Sequence, residues 1–174
     1  MSLLKWLGLD DSPRRSEVNQ LEGIEQALMA HGPERARFLA CFAYILTRAA
    51  RADHQITDGE ARVMAGVIAG HAGIDAAQAA LVVRIARAAG HSRGTDDFLI
   101  TREFEQLATR EEKLAILDSL FEIAAADSAI LTVEDNEVRR VASELKLEHA
   151  DYIAVRQRHL GNLNVLRKDD SEPS

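Results

Sequence analysis

An acidic pattern occurs twice in this chain, 74 residues apart, and it carries a pair of apolar segments with it. Ala52-Asp53 is followed by Ile56 and Glu60, and Ala126-Asp127 by Ile130 and Glu134, so Asp and Glu share one offset (127 − 53 = 74; 134 − 60 = 74). The correspondence extends outward: Leu46 pairs with Leu120, Met64 with Val138 and Val67 with Val141. A one-residue slip then aligns GIDAAQ, beginning at Gly73, with KLEHAD, beginning at Lys146. Apolar residues spaced three and four apart define one face of a helix. Two related helical hairpins sharing one core are the simplest way to bury such faces.

Helical periodicity continues through the rest of the chain, and no alternating run long enough for a strand interrupts it. The expected class is all-α, a compact single-domain bundle of about seven to eight helices built from the two hairpins. Ser16 caps a helix running to about Ala30, which Gly32 and Pro33 end. From Pro33 to about Ala52, the residues Phe38, Leu39, Phe42, Ile45 and Leu46 form a stripe broad enough for a central helix. Thr57 with Glu60 reads as a capping box ahead of Val63, Met64, Val67 and Ile68, and Asp75 caps a helix carrying Leu81, Val82 and Ile85. A short helix is expected from about Phe98 to Leu107. Thr109 with Glu112 opens a long one, Thr132 with Asp135 another, and the last runs from Glu148 to His159. Residues 1–15 read as an apolar N-terminal segment and linker, 16–160 as the folded domain, and 161–174 as a disordered tail.

Composition narrows the class of function. At 174 residues and 47% hydrophobic the chain can bury a real core, and with only 5% aromatics that core must come from closely packed helices. A formal charge of −7 and a pI of about 5.4 argue against nucleic acid as a partner. Arg84, Arg87 and Arg93 read as the wet face of a helix. The single cysteine, Cys41, cannot form an internal disulfide and lies in the most apolar helix, where a thiol is inert. No apolar run reaches the roughly 18 to 20 residues of a membrane span. The opening MSLLKWLGLDD is short for a secretory signal and lacks a small-residue cleavage site, so a cytoplasmic location is expected. Its Leu3, Leu4, Trp6, Leu7 and Leu9 are expected to pack on the body, with a membrane surface or a partner as the alternative.

Asp-x2-Ile-x3-Glu has the register of the second half of an EF-hand loop, where Asp, an apolar pin and a bidentate Glu hold calcium. The first-half ligands are missing: those positions are Ala49 and Arg51 in one copy, and Ile123 and Ala125 in the other. The glycine of the sharp turn is replaced by His54 and Ser128, so a standard EF-hand is excluded. Two readings stay open. Asp53, Glu60, Asp127 and Glu134 form an oxygen-rich site for calcium, magnesium, manganese or zinc, with His54 as a further zinc or manganese ligand. Alternatively Glu60, Glu134 and Asp135 cap helix starts, and the two Asp make ordinary turn hydrogen bonds. His71 pairs with Leu145 across the repeat, which favours packing over ligation, while His31, His91, His149 and His159 fall at helix ends or wet faces. Phosphate loops, Ser-His-Asp sets and zincin motifs are missing, so no enzyme is expected. A metal-dependent hydrolase using the same carboxylates is the weaker alternative.

ARADHQITDGEARVM, ATREEKLAILDSLFEIAAADSAILTVEDNEVRRVASEL and DYIAVRQRHL together resemble the TerB tellurite-resistance family, over roughly residues 34–160. The family hallmark resembles Ala-Asp-Gly-x-Ile-x3-Glu, present twice. Ala52, Asp53, Ile56 and Glu60 match it, as do Ala126, Asp127, Ile130 and Glu134, whereas His54 and Ser128 stand where the hallmark has Gly. The resemblance implies an all-α bundle with divalent-cation binding at the acidic turns. It also implies a role in stress response or in membrane-associated complexes and carries no enzymatic reaction with it; action through a protein partner or at the membrane surface is expected. A purely structural interaction domain without metal is the alternative.

Overall fold

From Phe38 to Arg48 every side chain is buried, and a helix buried on all sides must be surrounded by others. In the computed structural model, which describes residues 3–7, 15–50, 56, 58–89, 97–125, 130 and 132–162, that helix is α3 (Pro33–Ala50). Before it come α1 (Leu3–Trp6) and α2 (Arg15–Met29). After it come α4 (Asp58–Ile68), α5 (Ala76–Ala89), α6 (Asp97–Leu107), α7 (Arg110–Ala125), α8 (Thr132–Glu144) and α9 (His149–Arg158). Short 3-10 turns occupy His71–Gly73 and Leu160–Asn162. No strand occurs among the described residues, and the chain is all-α as expected. Helix α3 packs against α2, α5, α6, α7 and α8. Phe38 and Phe42 of α3 meet Phe104 of α6 at centroid distances of 5.1 and 6.0 Å, and each such buried ring contributes about 1.5–3 kcal/mol.

The repeat survives folding, and it is longer than a hairpin. The series α3, α4, α5 is matched by α7, α8, α9. In each series the third helix packs on the first and on the second, while α4 crosses to α7 and α8 crosses to α3. Both second helices end in a left-handed turn, at Gly70, Ala72 and Gly73 in the first copy and at Lys146 in the second. At the second turn the Leu147 N–H donates to the Ala142 carbonyl at 3.0 Å, and Lys146 holds the positive φ that this type of helix end needs. The first connection (69–75) is three residues longer than the second (145–148): the slip visible in the sequence accounts for one, and α8 running two residues further than α4 for the others.

Several helix starts follow the local chemistry expected of them. The Gln78 N–H donates to Asp75 Oδ1 at 2.8 Å. Thr109 N–H donates to Glu112 Oε2 at 2.8 Å, and Glu112 N–H returns to Thr109 Oγ1 at 3.2 Å, a complete capping box. Ser16 falls inside α2, whose first residue is Arg15. Thr57 lies outside the described residues. Val63, expected on the apolar face of α4, is 47% exposed, because Met64 and Ile68 alone turn fully inward. The N-terminal segment packs on α2 and α3: Leu7 is buried, Leu3 and Trp6 are half-buried, and the Leu3 N–H donates to Glu25 Oε1 at 3.2 Å. From residue 163 on, the expected tail lies outside the described residues.

Candidate functional site

Of the four expected cation ligands, Asp53 and Asp127 lie outside the described residues, as do His54 and Ser128. Glu60 belongs to the first turn of α4, with its side chain outside the description. Glu134 is described, and it is buried in the first turn of α8. A carboxylate there meets the positive end of the helix dipole. The apolar pins of both copies are anchored, since Ile130 is 1% exposed and Ile56 packs half-buried against the same core.

Asp135 departs from expectation. Its carboxylate turns from the start of α8 to α9, accepting from the Tyr152 hydroxyl at 2.6 Å and from Arg156 Nε at 3.1 and 3.0 Å. A charged, two-point contact with a guanidinium outcompetes a backbone cap. Burial, reinforced by the hydrogen bond to Asp135, pushes the Tyr152 phenol up to about 12.

Two further polar clusters sit where the halves cross. Where α8 meets α3, the Arg48 side chain is fully buried. It donates to Glu137 Oε1 at 2.6 Å, Thr101 Oγ1 at 2.8 Å and both oxygens of Glu144 at 2.5 and 3.3 Å. Burial works against the guanidinium charge, yet hydrogen bonds to Glu144 and Glu137 outweigh it and hold its pKa above the ordinary value.

Where the turn after α4 meets α7, His71, Asp118 and Glu122 each offer a ligand atom within 4.8 Å of the others. His71 Nε2 lies 3.7 Å from Asp118 Oδ2, and His71 Nδ1 is buried with no hydrogen-bond partner. His159 Nε2 is 2.8 Å from Asp118 Oδ1, and Arg158 Nη1 is 3.6 Å from Asp118 Oδ2. His159, expected at a helix end or on a wet face, directly follows the last residue of α9. It is buried, and its ring stacks on Phe121 at 5.4 Å. The one sequence signal for this cluster is the four-residue step from Asp118 to Glu122, which puts both carboxylates on one face of α7. Nothing local brings His71 to them.

The remaining candidates are self-contained. Cys41 is buried, and burial, with Glu103 adding to it, pushes the thiol well above its usual range. Arg84 and Arg87 are exposed, as a wet face requires, and Arg87 pairs with Asp58 at 2.9 Å. A surface pocket lined by Arg110, Lys113, Lys146, Leu147, Glu148 and Asp151 is charge-compensated. Arg110 pairs with Asp151, and Lys113 and Lys146 share Glu105 at 3.0 and 3.2 Å.

The family profile described as tellurite resistance protein TerB matches residues 38–157, from the buried stretch of α3 to the last turn of α9. The chain belongs to the TerB family. The matched span takes in both copies of the acidic repeat and both left-handed turns. No curated protein and no solved structure matches the chain. No helix among the described residues of this TerB-family chain is long and apolar enough to cross a membrane.

Proposed function

We propose that this TerB-family chain is a non-enzymatic stress-response module of the cytoplasm, which binds a divalent cation at its acidic turns and acts through a protein partner. The observation that carries this reading is the retention of Asp and Glu in both copies of the hallmark while the intervening Ile56 and Ile130 are packed into the core. Helix capping is a fuller reason for the two Glu of the repeated pattern than for Asp53 and Asp127, and carboxylate oxygens are the ligands that calcium and magnesium take. A metal-free interaction domain is the second reading, supported by the burial of Glu134 at a helix start.

Calcium and magnesium titration of metal-stripped protein, followed by calorimetry and thermal melting, separates the two. Saturable binding raises the melting temperature with occupancy. The combined Asp53→Asn and Asp127→Asn variant abolishes the shift. If neither ion moves the wild-type melting temperature at millimolar concentration, the cation is discarded and the interaction domain stands.

A further inference from the structure

We propose that His71, Asp118 and Glu122 form a zinc site that clamps the turn after α4 onto α7. It is separate from the acidic turns of the family hallmark and uses none of their residues. Distance gives the first argument. The 3.7 Å between His71 Nε2 and Asp118 Oδ2 exceeds a hydrogen bond, for which N···O is about 2.7–3.2 Å. Two ligands about 2.0–2.2 Å from one tetrahedral ion lie roughly 3.4 Å apart, so the pair is spaced as co-ligands. Glu122, one turn along α7 from Asp118, offers the third ligand within the same 4.8 Å.

The surroundings suit a metal as well. His71 Nδ1 is buried without a partner, so the protein alone leaves one polar atom of this ring unaccounted for, as a ring awaiting a ligand would. Asp118 is oriented from behind by His159 Nε2 at 2.8 Å, the outer-shell arrangement that fixes a ligating carboxylate. His159 is itself held by its stack on Phe121. One imidazole with two carboxylates favours zinc over calcium or magnesium, which take oxygen ligands. Three protein ligands also leave a fourth position open, and His71 and Asp118, with side chains 26% and 19% exposed, reach solvent.

The second copy of the repeat supplies the control. Leu145 stands where His71 stands, so His71→Leu places a side chain already accepted at that point of the fold. Full-length, metal-stripped protein is titrated with zinc chloride by calorimetry and thermal melting, and with cobalt(II), whose visible absorption reports the coordination geometry. The expected result is one saturable zinc site, a raised melting temperature and a cobalt band typical of four-coordination. His159→Phe, which keeps the stack and removes the outer hydrogen bond, weakens zinc by about 10–100-fold. His71→Leu and Glu122→Gln weaken it further and abolish the cobalt band, each variant being checked for native helicity. The Asp53→Asn and Asp127→Asn pair leaves zinc binding unchanged, which keeps this site distinct from the acidic turns. Wild-type indifference to millimolar zinc overturns the proposal. So does wild-type zinc affinity in both His71→Leu and Glu122→Gln, or loss of zinc in the Asp53/Asp127 variant alone.

Discussion

Two junctions related by the same 74-residue offset hold the halves of this protein together, and an arginine in one stands where the other has a glutamate. Tyr44, Arg48 and Leu145 at one become Asp118, Glu122 and His71 at the other (44 + 74 = 118; 48 + 74 = 122; 145 − 74 = 71). The first is closed: Arg48 is fully buried and saturated by Glu137, Glu144 and Thr101, the Tyr44 hydroxyl donates to Asp97 at 2.9 Å, and Leu145 is fully buried. The second is half-open, with two acids, an imidazole and an exposed Arg158 at 3.6 Å. A duplicated backbone has therefore kept its helices and its left-handed turns while exchanging the chemistry they enclose. One copy closes its polar groups into buried ion pairs, and the other leaves an imidazole and two carboxylates partly open to solvent.

The sharpest test of that contrast is at Arg48. Removing one partner from a buried ionic network costs about 3–5 kcal/mol, because the acids left behind are uncompensated. Arg48→Met is expected to fall at the lower end of that range, since the Glu137 and Glu144 side chains retain 26% and 11% exposure. Urea denaturation measures it, and a loss below about 1 kcal/mol, the level of a surface pair, would mean that the closed junction is not closed in energy.

Next in size is the pair Leu145→Ala and His71→Ala, made at equivalent positions and compared in metal-stripped protein. Truncating a fully buried leucine costs about 2–5 kcal/mol. His71 is half-buried and has one ring nitrogen unsatisfied, so its loss is expected to cost about 1 kcal/mol or less. Equal costs would erase the difference between the junctions.

This contrast also marks what was legible in the sequence. Periodicity, the Thr109–Glu112 box and the Asp75 cap all act within a few residues, and each appears as expected. The pairings Leu46–Leu120 and Met64–Val138 placed core residues correctly in both copies, because burial follows helix face. The second cluster depends on a contact between residues 71 and 118, and no local rule reports a tertiary contact. The leucine that pairs with His71 across the repeat points to packing, and carries no sign of the carboxylates that the fold sets beside this ring. His159 stands at a helix end, as the spacing implies, but that end is not wet, because Phe121 packs on it. Asp135 shows the same override, its local cap lost to Arg156 of a different helix.

Smaller effects probe α9 as the closing helix of the second half. Tyr152→Phe removes one donor from Asp135, which Arg156 still holds at 2.9 Å, so a loss of about 1 kcal/mol is expected in urea at neutral pH. The phenol's folded-state pKa of about 12 stands above the ordinary 10.0, so the folded protein holds this proton more tightly than the unfolded chain. Its contribution is therefore whole below pH 10 and is lost as pH rises toward about 12. A wild-type stability curve that falls in that window, and a flatter one for Tyr152→Phe, is the expected pair of results. Identical curves would remove Tyr152 from the junction between α8 and α9.

The smallest differences lie in the two left-handed turns, where the copies share a strain and differ in its surroundings. Ala72 at φ 51 and Lys146 at φ 56 occupy a region that costs an L-residue about 1–2 kcal/mol, and glycine relieves it at some entropic cost in the unfolded chain. Lys146→Gly gives up an ion pair to Glu105 whose lysine is 73% exposed, a contact of little worth, so a net gain of about 0.5 kcal/mol is expected. Ala72→Gly gives up a methyl group packed against the core, which offsets much of the same relief and leaves a smaller gain. Paired urea titrations resolve the order. If Ala72→Gly proves the more stabilising of the two, the turn of the first copy carries more strain than its dihedral angle implies, and strain, rather than burial, is what separates the copies at this point.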